Sequence, residues 1–385
     1  MNWKLHTRAP KWALVVPWMA LVALAASGAN GPTPGGVRVE ASARPQFFFA
    51  CCEDVPATRA LFADGSVIAS LKRLHAGVAI GTDDLSPARA QLVQQLNAAG
   101  IPVVASLVVP GDQGYYLNSG NAPQAAAHFT AFQEWTARYH LRWSAIGLDM
   151  EPDIRLFGDL QHHRMRLALS FVARFFEFAK MRQAREAYGM LIRRMQSQGY
   201  EVQTYQLPLI VAERNAHVTI LERLLGIVDV RGNEEVVMIY TSFNKAIGSG
   251  MIWTLGPDAQ SIAIGITNGG AVGLDWNEFS RDLIAAAHFS RTVGVFNLEG
   301  SVQRNFLPRL EAMDWNQSIT IPAKSIARAH RLYAVVVIAL WLLEISPLLF
   351  LVLILVLAWV VVRVRARMKA RRGAGAAARR RPSQP

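Results

Sequence analysis

Eight short apolar runs recur along the middle of the chain, and most are followed by a segment whose apolar residues are spaced as on one face of a helix. They are QFFFACC (46–52), GVAIGT (77–82), IPVVASLVV (101–109), SAIGLDM (144–150), QTYQLPLIV (203–211), EVVMIYT (235–241), SIAIGIT (261–267) and TVGVFNL (292–298). Continuous apolar runs mark strands buried on both faces. Ser86-Pro87 opens and Gly100 closes one intervening helix, and NEFSRDLIAAAHFS is amphipathic. Eight such units over about 250–280 residues fit, in count and length, an α/β fold of the (β/α)8 TIM-barrel type, placed at residues 46–312. The alternative is an open doubly wound sheet, and no glycine-rich dinucleotide fingerprint follows the first strand to favour it.

One connection is longer than a barrel needs. More than forty residues separate the fourth and fifth runs, which predicts a long helical insertion after strand 4. Its Phe171, Phe175 and Phe178 lie near one face with Arg and Lys between them. Such a helix packs on the barrel, covers a site or rests on a membrane, and plain packing is the simplest of these.

Two further apolar stretches belong to no barrel unit. KWALVVPWMALVALAASGANG follows Lys4 and Arg8 and ends in small residues, the layout of a secretory signal or an uncleaved anchor over 1–30. LYAVVVIALWLLEISPLLFLVLILVLAWVVV is long enough to span a bilayer, although Glu344, Ser346 and Pro347 interrupt its first half. We place a transmembrane segment at 333–362, with Ile345 to Val362 facing lipid and a bend at Pro347. Residues 31–45 and 313–332 read as linkers.

Charge gives these segments an orientation. The net charge of +12 invites a nucleic-acid reading, but residues 363–385 carry nine Lys and Arg without an acid and residues 1–30 carry three more. The rest of the chain is neutral. A basic cluster after a membrane span marks the cytoplasmic side, so the tail is expected inside and the barrel outside. Anionic lipid headgroups are its expected contact, and no nucleic acid is. The two cysteines, Cys51 and Cys52, are adjacent and have no metal-ligand spacing. They read as buried strand residues, and a bridge between them is not legible from sequence. No cofactor or metal is implied.

In a closed barrel the C-terminal strand ends form the active face. Past the apolar runs lie Glu53, Asp54, Asp83, Asp84, Asp112, Tyr115, Tyr116, Asp149, Glu151, Glu213, Tyr240, Asn268, Asn297 and Glu299. Asp83 and Asp84, ahead of Ser86-Pro87, read as capping residues. Asp149 and Glu151 share a strand face with the small Ala145 and Gly147, which leaves room beneath two acidic side chains. Paired carboxylates there suit glycosidic cleavage: one protonates the leaving oxygen, the other stabilises positive charge on the sugar. Mutual repulsion raises one pKa and keeps a proton available.

The stretch IGLDMEP resembles the end of the fourth strand in family 18 glycoside hydrolases, the chitinase-like barrels, whose signature closes with Asp-x-Glu. VVMIYTSF is similar to their sixth-strand Met-x-Tyr-Asp, with Met238 and Tyr240 in register, and VGVFNLEG is distantly similar to their eighth strand. The resemblance implies that Glu151 is the acid, Asp149 orients a substrate acetamido group acting as nucleophile, and Tyr240 hydrogen-bonds that group. The chain departs from the family at Ser144 and Gly147, where two earlier acids stand, at Thr241 in place of Asp, and at Asn297 in place of a Trp that floors the sugar site.

The expectation is an extracytoplasmic, membrane-anchored glycoside hydrolase-like barrel acting on an oligo- or polysaccharide. Tyr115, Tyr116, Glu213, Asn297 and Glu299 are its candidate substrate contacts. GDQGYYLNSGNA equally suits a non-catalytic, lectin-like barrel, because tyrosines stack on sugars and amides bond hydroxyls whether or not a bond is cut.

Overall fold

The computed structural model describes residues 35–51, 54–63, 65–156, 164–265, 267 and 273–346, with Val352, Val356, Trp359 and Arg363 beyond; side chains of 164–169 are not included. The N-terminal segment 1–30, Cys52, Glu53, Asn268, the bend at Pro347 and the tail after Arg363 lie outside the described residues. Ten strands are described. β2 (Gln46–Cys51), β3 (Gly77–Gly81), β4 (Val103–Leu107), β5 (Ala145–Asp149), β6 (Val202–Gln206), β7 (Glu234–Met238), β8 (Ser261–Gly265) and β9 (Thr292–Phe296) form a closed parallel barrel in that order. All eight apolar runs supply one strand each, and the fold is the TIM barrel.

Alternate residues of each strand face opposite ways, as the pleat requires. Phe47, Phe49, Val78, Ile80, Ile146, Leu148, Val293 and Val295 join the main core beneath the helices. Ala79, Val104 and Ala145 instead cluster with Phe48. Glycines make room inside: a Cβ on Gly77 would lie 2.3 Å from the Phe48 ring, and one on Gly147 would lie 2.6 Å from the Tyr205 ring. The room read beneath Asp149 and Glu151 is therefore filled, by Phe48 against Ala145 and by Tyr205 over Gly147.

Helix starts follow their capping residues. Ser86 accepts from Arg89 N, and Asp84 in turn accepts from Ser86 N at 2.8 Å. Asp83 lies 3.7 Å from the buried Arg89 guanidinium rather than capping. Gly100, at φ 73, closes this helix as expected. Asp275 and Glu278 form a reciprocal capping box on the helix Trp276–Phe289. The run 203–211 does not continue as a strand. Pro208 has no N–H for a sheet ladder and opens the helix Pro208–Asn215.

Both expected linkers contain structure. β1 (Gly36–Glu40) pairs antiparallel with β10 (Ser318–Pro322), Val37 opposite Ile321 and Val39 opposite Ile319. Val39 and Ile321 are buried, and Ser42 Oγ donates to His288 O at 2.7 Å, tying the ribbon to the helix before β9. The insertion after β5 forms the helices Arg164–Phe175 and Phe178–Ser197. Phe171 and Phe175 pack with Leu156, Ile220, Leu224 and Leu340, whereas Phe178 is exposed.

The C-terminal helix runs Ala323–Ile345, ten residues ahead of the expected start of the span. It is long and apolar enough to cross a membrane by length and composition. Its first half nevertheless docks on the barrel. A Cβ on Gly250 would lie 2.4 Å from Ser325 O, Asn215 Nδ2 donates to Tyr333 Oη at 2.6 Å, and the Arg223 guanidinium meets Glu344 at 2.9 Å. Cys51 is buried on the outer face of β2 and is disulfide-bonded.

The close fit over Gly147 generates a prediction. Gly147→Ala must displace the Tyr205 ring, and overpacking of this kind costs about 1–3 kcal/mol. Thermal unfolding followed by circular dichroism should show a lowered Tm. An unchanged Tm would mean that Tyr205 can vacate the position freely.

Candidate functional site

β5 delivers the two acids. Asp149 ends the strand and pairs in register with Tyr205 of β6, and Glu151 follows two residues later, close enough to feel its charge. Both are partly buried. Burial pushes the Asp149 carboxyl up from 3.8 to about 7. Burial first, and then the charge of Asp149, holds Glu151 well above the ordinary carboxylate range. Among the described residues, none is a hydrogen-bond partner of Asp149 Oδ1, and no cation figures among the charges that act on either group.

Four tyrosines complete the cluster. Burial, followed by the charges of Glu151 and Asp149, raises the Tyr116 and Tyr240 hydroxyls well above 10. Tyr205, raised by burial and then by Asp149 and Glu234, stands beside them. The rings of Tyr115 and Tyr116 meet edge to face at 4.9 Å. Tyr205 was not legible as a site residue from its own run. The parity that selected Asp149 selects it too, because Gln203 and Tyr205 face inward on the next strand.

Below the acids the barrel is packed and hydrogen-bonded. Tyr205 Oη donates to Gln203 Oε1 at 3.0 Å, Gln203 Nε2 donates to Glu234 at 2.7 Å, and Ser261 Oγ donates to the same carboxylate. A cavity of about 40 Å³ remains, bordered by Phe48, Tyr205, Tyr240 and Phe296. That holds water but no sugar ring. A substrate must therefore bind above, at the C-terminal mouth.

The loop after β4 is a rigid wall of this mouth. Leu117 N donates to Asp149 O at 3.0 Å, joining the loop to the strand that carries the acids. Asn118 and Asn121 are buried, and their amides donate to Tyr116 O at 2.9 and 2.8 Å. Tyr188, on the inserted helix, donates to Asn121 Oδ1 at 2.9 Å. These asparagines pin Tyr116 in place, so their amides are not offered to sugar hydroxyls.

Other sequence candidates fall outside the cluster. Glu213 sits on the helix that Pro208 opens, fully buried, where its carboxylate accepts from Leu221 N at 2.5 Å and Glu222 N at 2.9 Å. Burial raises its pKa to about 8 against these bonds. It holds the helix Ile220–Leu225 and is spent there. Asn297 caps the helix Leu298–Gln303 by accepting from Gly300 N at 3.0 Å, and Glu299 lies half-buried in that first turn. Asp54 caps the helix Val55–Leu61, and Asp112 is exposed. Among the described residues no group of three His, Cys, Asp or Glu is placed to hold a metal.

No family model matches the chain, and no curated protein does. Among solved structures it is similar to the apo 3-keto-D-glucoside 4-epimerase of E. coli, at 13% identity and TM-score 0.41 over 70% of this chain and 100% of that one. It is similar to D-allulose 3-epimerase from Methylomonas sp. at 11% and 0.38, over 77% and 99%. An endo-β1,6-glucanase matches at 11% and 0.38, over 69% and 70%. At these identities and scores the likenesses carry no argument about chemistry, and the barrel stands on its own strand pairing.

Because folded Asp149 holds its proton from its ordinary 3.8 to about 7, the stability it contributes is full below that interval and is lost as pH rises through 7. Asp149→Asn cannot ionise. Its Tm, relative to the unmodified protein, should rise as pH goes from about 4 to about 8. A Tm difference that is flat across this range would remove the assignment.

Proposed function

We propose that this chain is a membrane-tethered, extracytoplasmic barrel that cleaves a glycosidic bond by general acid catalysis, with Glu151 as the proton donor. The reading rests on one observation: the Glu151 carboxyl lies beside Asp149 at the C-terminal end of a barrel strand, among tyrosines, where burial pushes it well above the ordinary carboxylate range. A neutral carboxyl near neutral pH can give its proton to a leaving oxygen as the C–O bond breaks. The ionised form of Asp149, available near its pKa of about 7, opposes the positive charge that develops on the sugar. Water then adds to that carbon, and its proton returns to the Glu151 carboxylate. Tyr115 and Tyr116 offer ring faces and edges to the substrate.

The reading stops short of the acetamido-assisted route of family 18. Tyr240 Oη points to Met238 Sδ at 3.2 Å, Thr241 replaces the acid beside it, and Asn297 is a helix cap where that family places an aromatic floor. Membrane tethering is supported by the apolar C-terminal helix and by the basic residues after 362.

Glu151→Gln should lower turnover by about 10²–10⁴-fold while binding survives, and Asp149→Asn should lower it through lost charge stabilisation. The assay compares wild type and both variants on β-linked N-acetylhexosamine oligomers, peptidoglycan fragments and neutral glucans. Saturable binding without hydrolysis by the unmodified protein would make it lectin-like and sink the enzyme reading. Topology has its own test. Protease added to intact cells or spheroplasts should digest the barrel and spare the tail, and the reverse pattern would invert the orientation.

A further inference from the structure

An apolar groove of about 120 Å³ opens beside the site. Leu209, Phe243 and Met251 line its barrel side, Leu332 and Val336 of the C-terminal helix close its outer side, and Tyr240 forms its inner end. Tyr240 also borders the barrel interior and feels the charges of both acids. One end of the groove is therefore at the candidate site, and the other is a helix that leads toward the apolar segment. A cavity of about 150 Å³ lined by aliphatic side chains holds a benzene, so this one takes roughly half a dozen carbons.

Chain length places the groove relative to a bilayer. A stretch of 18 residues, the length of Ile345 to Val362, spans about 27 Å when wholly helical, slightly less than the roughly 30 Å of a hydrocarbon core. The core then begins near Trp341 to Ile345, where Trp341, Leu342 and Ile345 are exposed. Phe178 is exposed on the same side, stacked under the Arg223 guanidinium at 3.9 Å, and Arg223 pairs with Glu344. Val336 lies five to nine residues before that boundary, or about 7–14 Å along the helix. The lipid headgroups add about 5–8 Å on each side of the core, so the groove lies at or just outside their outer edge.

The geometry points to a lipid-linked saccharide as the substrate: its hydrocarbon chain enters the groove between Met251 and Val336, and its sugar reaches Glu151 and Asp149 past Tyr240. This deepens the glycosidase reading and rests on it for the sugar, while the occupancy of the groove by hydrocarbon is a separate fact with its own readout.

The test uses the full chain in lipid nanodiscs. Octyl β-glucoside and octyl N-acetyl-β-glucosaminide carrying a diazirine at the chain end are photolysed, and the adducts are mapped by mass spectrometry. Labels are expected within 207–212, 239–251 and 332–336. Val336→Trp and Met251→Trp, which fill the groove from opposite walls, should each cut that labelling at least tenfold while leaving the unfolding transition in place. If one variant fails to fold, the other carries the comparison. In turnover assays, each added methylene from methyl to pentyl glycoside should lower KM about fourfold, the equivalent of about 0.8 kcal/mol, with kcat unchanged.

Equal groove labelling by a phosphatidylcholine with the same diazirine chain would make it a general lipid site and overturn the proposal. Labels confined to Ile338, Trp341 and Ile345 would do the same, and so would labelling that appears only after residues 1–34 are deleted, since the occupant would then be the chain's own N-terminal segment. Groove labelling by the glycosides with no turnover of any sugar would keep the lipid-saccharide site and remove the hydrolase. Turnover indifferent to chain length, with an unlabelled groove, would remove the lipid-linked substrate and leave the hydrolase standing.

Discussion

Two carboxyl groups, one on the last residue of a barrel strand and one two residues beyond it, set the terms for everything around them. Other buried acids in this chain have partners. Glu213 takes two backbone N–H groups, Glu234 takes Gln203 and Ser261, Glu222 takes Arg185, and Glu235 takes Arg214. Among the described residues, none brings a cation to Asp149 or Glu151. Desolvation without compensation is costly for an ionised carboxylate, and the cheaper response is to hold the proton. The surrounding tyrosines shift in the same direction, by burial first and then by the charges of the two acids. The cluster therefore favours the protonated carboxyl, which is what a general acid needs and what a structural salt bridge would oppose.

The scaffold keeps the pair in this state by filling the space under it. Tyr205 occupies the volume that Gly147 leaves and is anchored from below through Gln203 and Glu234. The loop after β4 closes one side, held by Asn118, Asn121 and Tyr188. The long insertion thus helps the site from a distance, since Tyr188 touches no acid but fixes the loop that carries Tyr116.

The barrel was legible because its strands are buried on both faces and read as unbroken apolar runs. Strand parity was legible for the same reason within β5, and Asp149 and Glu151 lie close enough to act on each other. What escaped depends on contacts between distant parts of the chain. Val37 and Ile321 lie in stretches with no apolar run of their own, and only pairing across almost the whole sequence makes β1 and β10 strands. Glu213 followed an apolar run that a proline had already turned into a helix. The asparagines of 118–121 looked available because sequence does not show that backbone carbonyls of their own loop consume them. Tyr205 escaped because the small residues of β5 read as empty space, whereas in a close-packed interior small residues on one strand imply large ones on the next.

Glu344 shows how the C-terminal helix has two functions at once. An acid in the middle of an apolar stretch is expensive in lipid, and as sequence it only interrupts a span. Its carboxylate meets Arg223, whose side chain is fully buried beneath Phe178 and Phe175. The pair marks where the helix stops belonging to the barrel. Before it, Gly250 lets the helix approach to backbone contact, and Tyr333 is bonded to Asn215. After it, the exposed side chains are apolar and the sequence continues so to Val362. A tether joined to its domain by a flexible linker would leave the barrel free to face any direction. Here the helix that carries the apolar stretch is packed against the helices after β6 and β7, the strands whose ends bring Tyr205 and Tyr240 to the acids. Under the proposed tethering, the side chains that wall the groove also fix the mouth of the barrel relative to the start of the apolar stretch.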